Sequence, residues 1–266
     1  MSPSFLEEIL ARKRVEVAER RAALPDRELE ARAAAAPRPR PFEAALSPSG
    51  GPIRIVAEVK RASPSAGPLD PDLCAPSQAR RYAGAGAAAL SVLTDGPGFS
   101  GSLEDLSAAR AAVDLPLLRK DFVLDRYQLL EARAAGADAV LLIVAALAPD
   151  VLRRLLEDCA ALELSALVEV HDPAEAETAL LAGARLVGVN NRDLRTFAVD
   201  LSASERILPA LPGRVKGVAE SGIRTAADVR RLRRVGAANL LVGEALVRAL
   251  DPAALLAELS LAGMAP

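Results

Sequence analysis

Several short apolar runs in this sequence end in polar residues whose types and order could do chemistry. Glu58 and Lys60 close a run that begins at residue 53, Lys120 and Asp121 close one from 115, and Glu169 closes one from 166 with His171 just beyond. Asn190, Asn191 and Arg192 follow a run from 186, and Glu220, Ser221 and Gly222 follow one from 215. Residues two apart on an extended chain point to the same face, so Glu58 and Lys60 face one way. If Val59 faces outward, both charges point inward, where each needs an opposite charge or a substrate group. A structural ion pair would account for Glu58 and Lys60 taken alone. Several such ends together point instead to one cavity where carboxylates and ammonium groups hold an acid and a base near neutral pH. Ser221-Gly222-Ile223 and Gly243-Glu244 add a candidate phosphate site, because glycine lets backbone N–H groups approach an anion and a following helix adds its dipole. Tight turns use glycine as well.

These residues need a scaffold that gathers the ends of strands. Eight β-branched or leucine-rich runs, at 53–60, 89–94, 115–121, 139–144, 166–170, 186–190, 215–220 and 240–243, alternate with alanine- and arginine-rich stretches of helical length. That alternation implies right-handed βαβ crossovers and a parallel sheet, and the apolar runs suit strands buried on both faces. Gly-Ala-x-x-apolar recurs at Gly86, Gly136, Gly183 and Gly236. Each glycine falls where a helix would end in a left-handed cap before an even-numbered strand. One period spans two βα units, so four copies make eight. An open α/β sheet with ordinary αβ loops is the alternative. The reading is an α/β protein: a (β/α)8 TIM barrel at 53–266 with an extra N-terminal helical segment at 1–48, one domain over 1–266. Functional side chains in such a barrel lie at the C-terminal strand ends, with phosphate held after strands seven and eight.

In the N-terminal segment, Phe5, Leu6, Ile9, Leu10, Val17 and Leu24 repeat at helical intervals behind a Ser4/Glu7 capping pattern, and a proline-rich stretch, 37–52, follows. Further caps are expected at Ser102 with Asp105, Ser202 with Glu205, Thr225 with Asp228, and at Asp172 before Pro173.

Composition excludes several classes of function. The chain has 266 residues, 51% of them hydrophobic, enough for one large α/β barrel or two small domains. With 33 basic and 35 acidic residues the net charge is -2, which gives no reason to expect nucleic acid; Arg230, Arg231, Arg233 and Arg234 read as a solvated helix face. Cys74 and Cys159 make neither a disulfide framework nor a zinc spacing, so no metal is expected. There is no glycine-rich dinucleotide fingerprint, and the one imidazole, His171, reads as a loop or helix-cap residue; no cofactor is expected. A charged N-terminus argues against a signal peptide, and the longest apolar run falls short of the roughly 20 residues of a membrane span. A cytoplasmic protein with no membrane partner is expected.

Read as strings, AEVKRASPS (57–65), LRKDF (118–122), YQLLEARAAGADAVLLI (127–143), LVEVH (167–171), GVNNRDLRTF (188–197), AESGI (219–223) and VGEALVR (242–248) resemble the indole-3-glycerol-phosphate synthase family over almost the whole chain. The resemblance implies a tryptophan-biosynthesis enzyme that acts on a small phosphorylated substrate without metal or organic cofactor, as a monomer or weak homo-oligomer. By position it makes Lys120 the general acid and Glu169 the general base. Glu58 would orient and tune the site, with Lys60 beside it to bind substrate or assist as an acid. Asn190 and Ser221 would line the reacting centre, and Glu220 would support them. It further implies that Ser63 and Arg192 contact the anthranilate portion, that Phe99 and Phe122 are apolar walls, and that Gly222, Gly243 and Glu244 frame the phosphate. Two departures stand out. The family commonly has two phenylalanines and two glycines where this chain has Gly98-Phe99-Ser100-Gly101, and Arg126 stands where proline is frequent. Another phosphate-binding barrel, such as phosphoribosylanthranilate isomerase, and a non-catalytic binding barrel are the rival readings.

Overall fold

The eight apolar runs are eight parallel strands that close on themselves. In the computed structural model, which describes residues 5–262, they are β1 (Arg54–Val59), β2 (Ala89–Leu93), β3 (Leu117–Lys120), β4 (Ala139–Ile143), β5 (Ser165–Val170), β6 (Leu186–Asn190), β7 (Lys216–Glu220) and β8 (Asn239–Val242). Each pairs with its sequence neighbours, and β8 pairs with β1 to close the barrel. Every strand lies within two residues of its expected span. A short antiparallel ribbon, Ala62–Ser63 with Gly67–Pro68, follows β1.

Helices α3 (Ala75–Gly84), α4 (Leu103–Ala112), α5 (Arg126–Ala134), α6 (Pro149–Ala161), α7 (Pro173–Ala182), α8 (Ser202–Ile207), α9 (Ala226–Arg233), α10 (Glu244–Arg248) and α11 (Pro252–Ala262) surround the barrel. The four repeat glycines, Gly86, Gly136, Gly183 and Gly236, all adopt left-handed φ, between 85° and 100°. Caps form as expected at Ser102, Asp172 and Thr225. The cap expected at Ser202 does not form. Asp200 takes its place, accepting the Ser202 N–H at 2.9 Å, since a carboxylate two residues earlier is the stronger acceptor. The Ser4 cap lies outside the described residues.

Alternation along the strands separates two cores. Ile55, Ala57 and Val59 of β1 belong to the layer between strands and helices, while Val56 belongs to the barrel interior with Leu118, Leu167 and Val218. These four interior residues come from β1, β3, β5 and β7, matching the rule that a barrel layer is filled from alternate strands. Two positions further along the same strands stand Glu58, Lys120, Glu169 and Glu220. The next layer up is therefore charged.

The N-terminal segment is two helices, α1 (Phe5–Ala23) and α2 (Asp26–Ala35), the second unmarked by apolar periodicity in the sequence. It serves both ends of the barrel. At the lower end Phe42 and Leu46 join the interior core, Lys216 Nζ donates to the Glu43 and Leu46 carbonyls at 2.7 and 2.9 Å, and Asn239 exchanges two hydrogen bonds with the Ser47 backbone. At the upper end Lys13 of α1 is fully buried, with Nζ 2.6 Å from Asp95 and 3.0 Å from Asp121. Arg12 adds a second cation to Asp95 at 3.0 Å, and the fully buried Arg119 pairs with Asp121 at 3.0 Å and Glu131 at 3.2 Å. Burial would raise the Asp121 carboxyl, but Arg119, Lys13 and the Thr94 hydroxyl outweigh it and hold it well below the ordinary carboxylate range. Arg126, where proline was expected, opens α5 and pairs with Glu30 of α2 at 2.6 Å. That pair is half exposed and adds little stability.

Lys13→Met keeps most of the stem and removes the cation shared by two buried carboxylates. It should cost about 3 kcal/mol in denaturant unfolding, as expected when one partner of a buried pair is lost. Adding Asp95→Asn should recover part of that. Because Asp121 is depressed, its stabilising contribution is complete above its ordinary 3.8 and is lost as pH falls below it, so the wild-type advantage should shrink on acidification. An unfolding midpoint unmoved by Lys13→Met would remove the network from the account of stability.

Candidate active site

Lys120 is the centre of the charged layer. Its Nζ lies 2.8 Å from Glu169 Oε2 and 2.9 Å from Glu220 Oε2, which joins β3 to β5 and β7 across the barrel mouth. Glu169 Oε1 accepts the Asn190 side-chain N–H at 3.1 Å, and Asn190 Oδ1 in turn accepts the Arg192 backbone N–H at 3.0 Å. Val59 faces the helices, so Glu58 and Lys60 turn inward and pair at 2.6 Å. An ammonium group has three N–H donors. Lys120 spends two on carboxylates, leaving the third for a group in the cavity.

The electrostatics follow from this geometry. Burial disfavours the Lys120 ammonium, but Glu169, Glu220 and Glu58 outweigh it and raise its pKa, so it stays charged. Burial likewise opposes ionised Glu169, yet Lys120, His171 and Asn190 prevail and lower its pKa. Glu220 moves the other way. Burial and the neighbouring Glu169 and Glu58 overcome Lys120 and push it up to about 7. Two carboxylates on one lysine thus divide the roles, one ionised and one poised to hold a proton near neutrality.

Two glycines make room for this layer. A Cβ at Gly188 on β6 would meet Glu220 Oε1, and one at Gly243 after β8 would meet Glu58 Oε1. Gly243 therefore accommodates Glu58 as well as opening α10. Beyond β7, Ser221 and Gly222 both take left-handed φ, 63° and 78°, an uncommon state for serine. Asn191 pins this turn, donating to the Glu220 and Ser221 carbonyls at 2.8 and 3.2 Å. The helix expected after Ser221-Gly222-Ile223 does not follow that turn directly. Helix α9 starts only at Ala226, and its first turn is closed by the Thr225/Asp228 capping box. Helix α10 starts directly at Glu244 with no side-chain cap.

All fourteen residues singled out by the sequence line one cavity at this mouth. Phe99 and Phe122 face each other with ring centroids 6.3 Å apart. Arg192 approaches Glu244 at 3.5 Å, and Ser63 Oγ accepts the Ala66 N–H at 3.2 Å on the ribbon after β1. The structure adds walls that sequence reading did not single out: Phe5 of α1 meets Phe197 edge-on at 5.0 Å, and both line the cavity with Leu194. Four of the chain's five phenylalanines thus stand here, in a protein with no tryptophan, although Gly98 stands where the family commonly has the first of its two phenylalanines. Ser100 itself takes φ 55°, where a glycine would be unstrained. His171 lies in the loop between β5 and α7, as expected, with its ring behind Glu169 and Nε2 3.6 Å from Oε1. Its place two residues beyond Glu169 was the available signal. Among the described residues no group of three His, Cys, Asp or Glu is placed to hold a metal ion, and no helix is long and apolar enough to cross a membrane. Cys74 and Cys159 are both free thiols.

Comparison with known proteins separates fold from family. A thiamine phosphate pyrophosphorylase from Pyrococcus furiosus superposes with a TM-score of 0.59 at 19% identity, covering 80% of this chain and 95% of that one. A mandelate oxidase gives the same TM-score at 21% identity over 79% of this chain and 73% of its own. Likeness at this level shows the barrel alone. The family model for indole-3-glycerol phosphate synthase matches residues 6–259. The indole-3-glycerol phosphate synthase of Mycobacterium ulcerans (strain Agy99) is 50% identical over 100% of this chain and 97% of its own length. Those of Mycobacterium avium (strain 104) and Mycolicibacterium vanbaalenii are 49% identical with the same coverage. Through the barrel, the order of the strand-end motifs and a match that runs nearly from end to end, the chain belongs to the indole-3-glycerol phosphate synthase family.

Proposed function

We propose that this protein converts 1-(2-carboxyphenylamino)-1-deoxyribulose 5-phosphate to indole-3-glycerol phosphate, with loss of carbon dioxide and water, as a carboxy-lyase of tryptophan biosynthesis. The observation that carries the reading is Lys120, held charged between Glu169 and Glu220 with one N–H left to point into an aromatic-walled cavity. The substrate's ring carbon that bears the carboxylate bonds to the ketone carbon. As it does, the ketone oxygen becomes an alkoxide, far more basic than an amine, so it can take a proton even from a lysine whose pKa is raised. Carbon dioxide then leaves, and the electron pair of its bond restores the aromatic ring. The new hydroxyl departs as water, with Lys60 placed to bind substrate or supply a proton, and Glu169 accepts the proton lost as the indole double bond forms.

Each step is a proton transfer or a bond change within the substrate, so side chains of this site suffice for it. Protonation of Glu220, whose carboxyl is pushed up to about 7, would weaken one of the two anchors on Lys120. Phe99 and Phe122, with Ser63 and Arg192, are proposed to receive the anthranilate portion. Gly222, Gly243 and Glu244 are proposed to frame the phosphate through their backbones, and Glu58, Asn190 and Ser221 to line the reacting centre. We read the extension at 1–48 and the barrel from 53 as one functional domain, a reading supported by the buried Lys13 pairs. A cytoplasmic location belongs to the same reading.

Lys120→Ala should lower kcat by roughly 10²–10⁴-fold, the usual loss for a positioned general acid, followed through the appearance of indole fluorescence from the carboxyphenylamino-deoxyribulose phosphate. Near-normal turnover would take Lys120 out of the mechanism. Gly222→Leu should instead raise KM, because a Cβ there meets Val199 and the turn must move. A fall in kcat at unchanged KM would argue against a phosphate clasp at this turn.

A further inference from the structure

His171 lies outside the cavity lining but behind its proposed base. It stands two residues beyond Glu169, just past the end of β5, and its ring approaches that carboxylate. One edge of the ring is locked: Nδ1 lies 3.0 Å from Glu175 Oε2 of α7, and the same oxygen accepts the His171 backbone N–H at 2.8 Å. The other edge has a free nitrogen. Nε2 is buried, has no hydrogen-bond partner, and sits 3.6 Å from Glu169 Oε1. With Nδ1–H committed to Glu175, a neutral ring would turn a bare lone pair toward an ionised carboxylate. An imidazolium would present an N–H there instead.

We propose that His171 is a positioning residue for Glu169: as imidazolium it holds the carboxylate ionised and weakly basic, and on losing its proton it releases that basicity to the reaction. The inference rests on the reading of Glu169 as the base. Every group facing the ring is accounted for in this arrangement. Glu169 faces it from β5, Glu175 from α7 and Glu220 from β7, while Lys120 of β3 competes for Glu169 from the other side. Burial disfavours the charged ring, but Glu175, Glu169 and Glu220 outweigh it and raise its pKa above the ordinary imidazole value. The protonated form is lost as pH rises through that raised value, within the range where histidine charge changes matter to enzymes. Coupling between two titrating groups is mutual: if the ring lowers the basicity of Glu169, Glu169 must raise the pKa of the ring by an equal free energy.

That reciprocity gives a test independent of turnover. His171 is the chain's one histidine, so its ring resonances in an NMR titration need no assignment by mutagenesis. Glu169→Gln should lower the His171 titration midpoint by about one pH unit, the smaller end of what a neighbouring opposite charge produces. Glu175→Gln, away from the cavity lining, should lower it as well, which shows that the titration reports the ring in this setting; Glu169→Asp, which draws the charge back from Nε2, should lower it less than Glu169→Gln and serves if the latter folds poorly. A midpoint that stays put in Glu169→Gln overturns the proposal whatever Glu169 does in catalysis. The kinetic arm compares single-turnover rates of His171→Asn and wild type. The ratio of variant to wild type should be at least roughly threefold higher at about pH 5.5 than at about pH 8, with KM unchanged. Because Glu220 is coupled to the same ring, the comparison is repeated in a Glu220→Gln background, where its titration drops out of the ratio. A ratio constant with pH would mark His171 as merely structural and overturn the proposal. Undiminished turnover in Glu169→Gln would instead overturn the assignment of the base, with the NMR coupling still measurable.

Discussion

Placing four charged side chains in one layer of a closed barrel is possible only if each finds a partner there, and this constraint organises the rest of the molecule. An unpaired ion at the depth of Glu169 or Glu220 would cost several kcal/mol. Lys120 resolves this by bridging both carboxylates, and Asn190 and His171 complete the shell around Glu169. The bridge also prepares the chemistry. Unequal surroundings drive the two carboxyls apart, so one lysine faces an ionised group and a group that titrates near neutrality. The same arrangement that makes burial tolerable therefore separates acid from base.

The N-terminal helices extend this logic outward. Asp95 and Asp121 follow β2 and β3, and Asp121 is the residue after Lys120. Their burial requires cations, which come from Arg119 within the barrel and from Arg12 and Lys13 on α1. Helix α1 is thus held to the mouth by charge as well as by Ile9 and Leu10, which belong to the interior core. Its position carries Phe5 onto Phe197 beside the cavity. The extension, the strand end that bears Lys120 and one wall of the site are parts of a single packed arrangement.

Much of this was legible in the sequence because barrel geometry is periodic. Alternation by two put Glu58 and Lys60 on one face of their strand, and the spaced Gly-Ala units marked the left-handed helix ends; neither depends on distant contacts. What escaped depends on partners remote in the chain. Lys13 reads as one more charge on an amphipathic helix until Asp95 and Asp121 fold beside it. Helix α2 has one large apolar residue, Leu29, and its packing against α5 appears only in three dimensions. Asn191 stands in the sequence only as one of the polar residues that end β6, though it pins the Ser221-Gly222 turn by its side chain. The cap at Ser202 failed for a local reason, competition from Asp200. The helix expected directly after Ser221-Gly222-Ile223 begins only at Ala226, behind its own Thr225/Asp228 capping box.

The layer also depends on what is absent from it. A barrel layer is ordinarily filled by branched side chains from alternate strands, and bulky side chains at this height on the intervening strands would leave no space for the carboxylates. Gly188 and Gly243 give up that volume, one beneath Glu220 and the other beside Glu58. The volume above is then walled by Phe5, Phe99, Phe122 and Phe197, contributed by α1 and by segments after β2, β3 and β6. Apart from Phe42, Tyr82 and Tyr127 the core is aliphatic, so general packing does not explain why four aromatic rings gather at one end. A flat ligand does, since rings offer it large rigid contact area and favourable edge or stacked geometry. The charged floor and the aromatic walls together describe a guest with an aromatic ring at one side and a reactive oxygen held over Lys120, which is the shape of the proposed substrate.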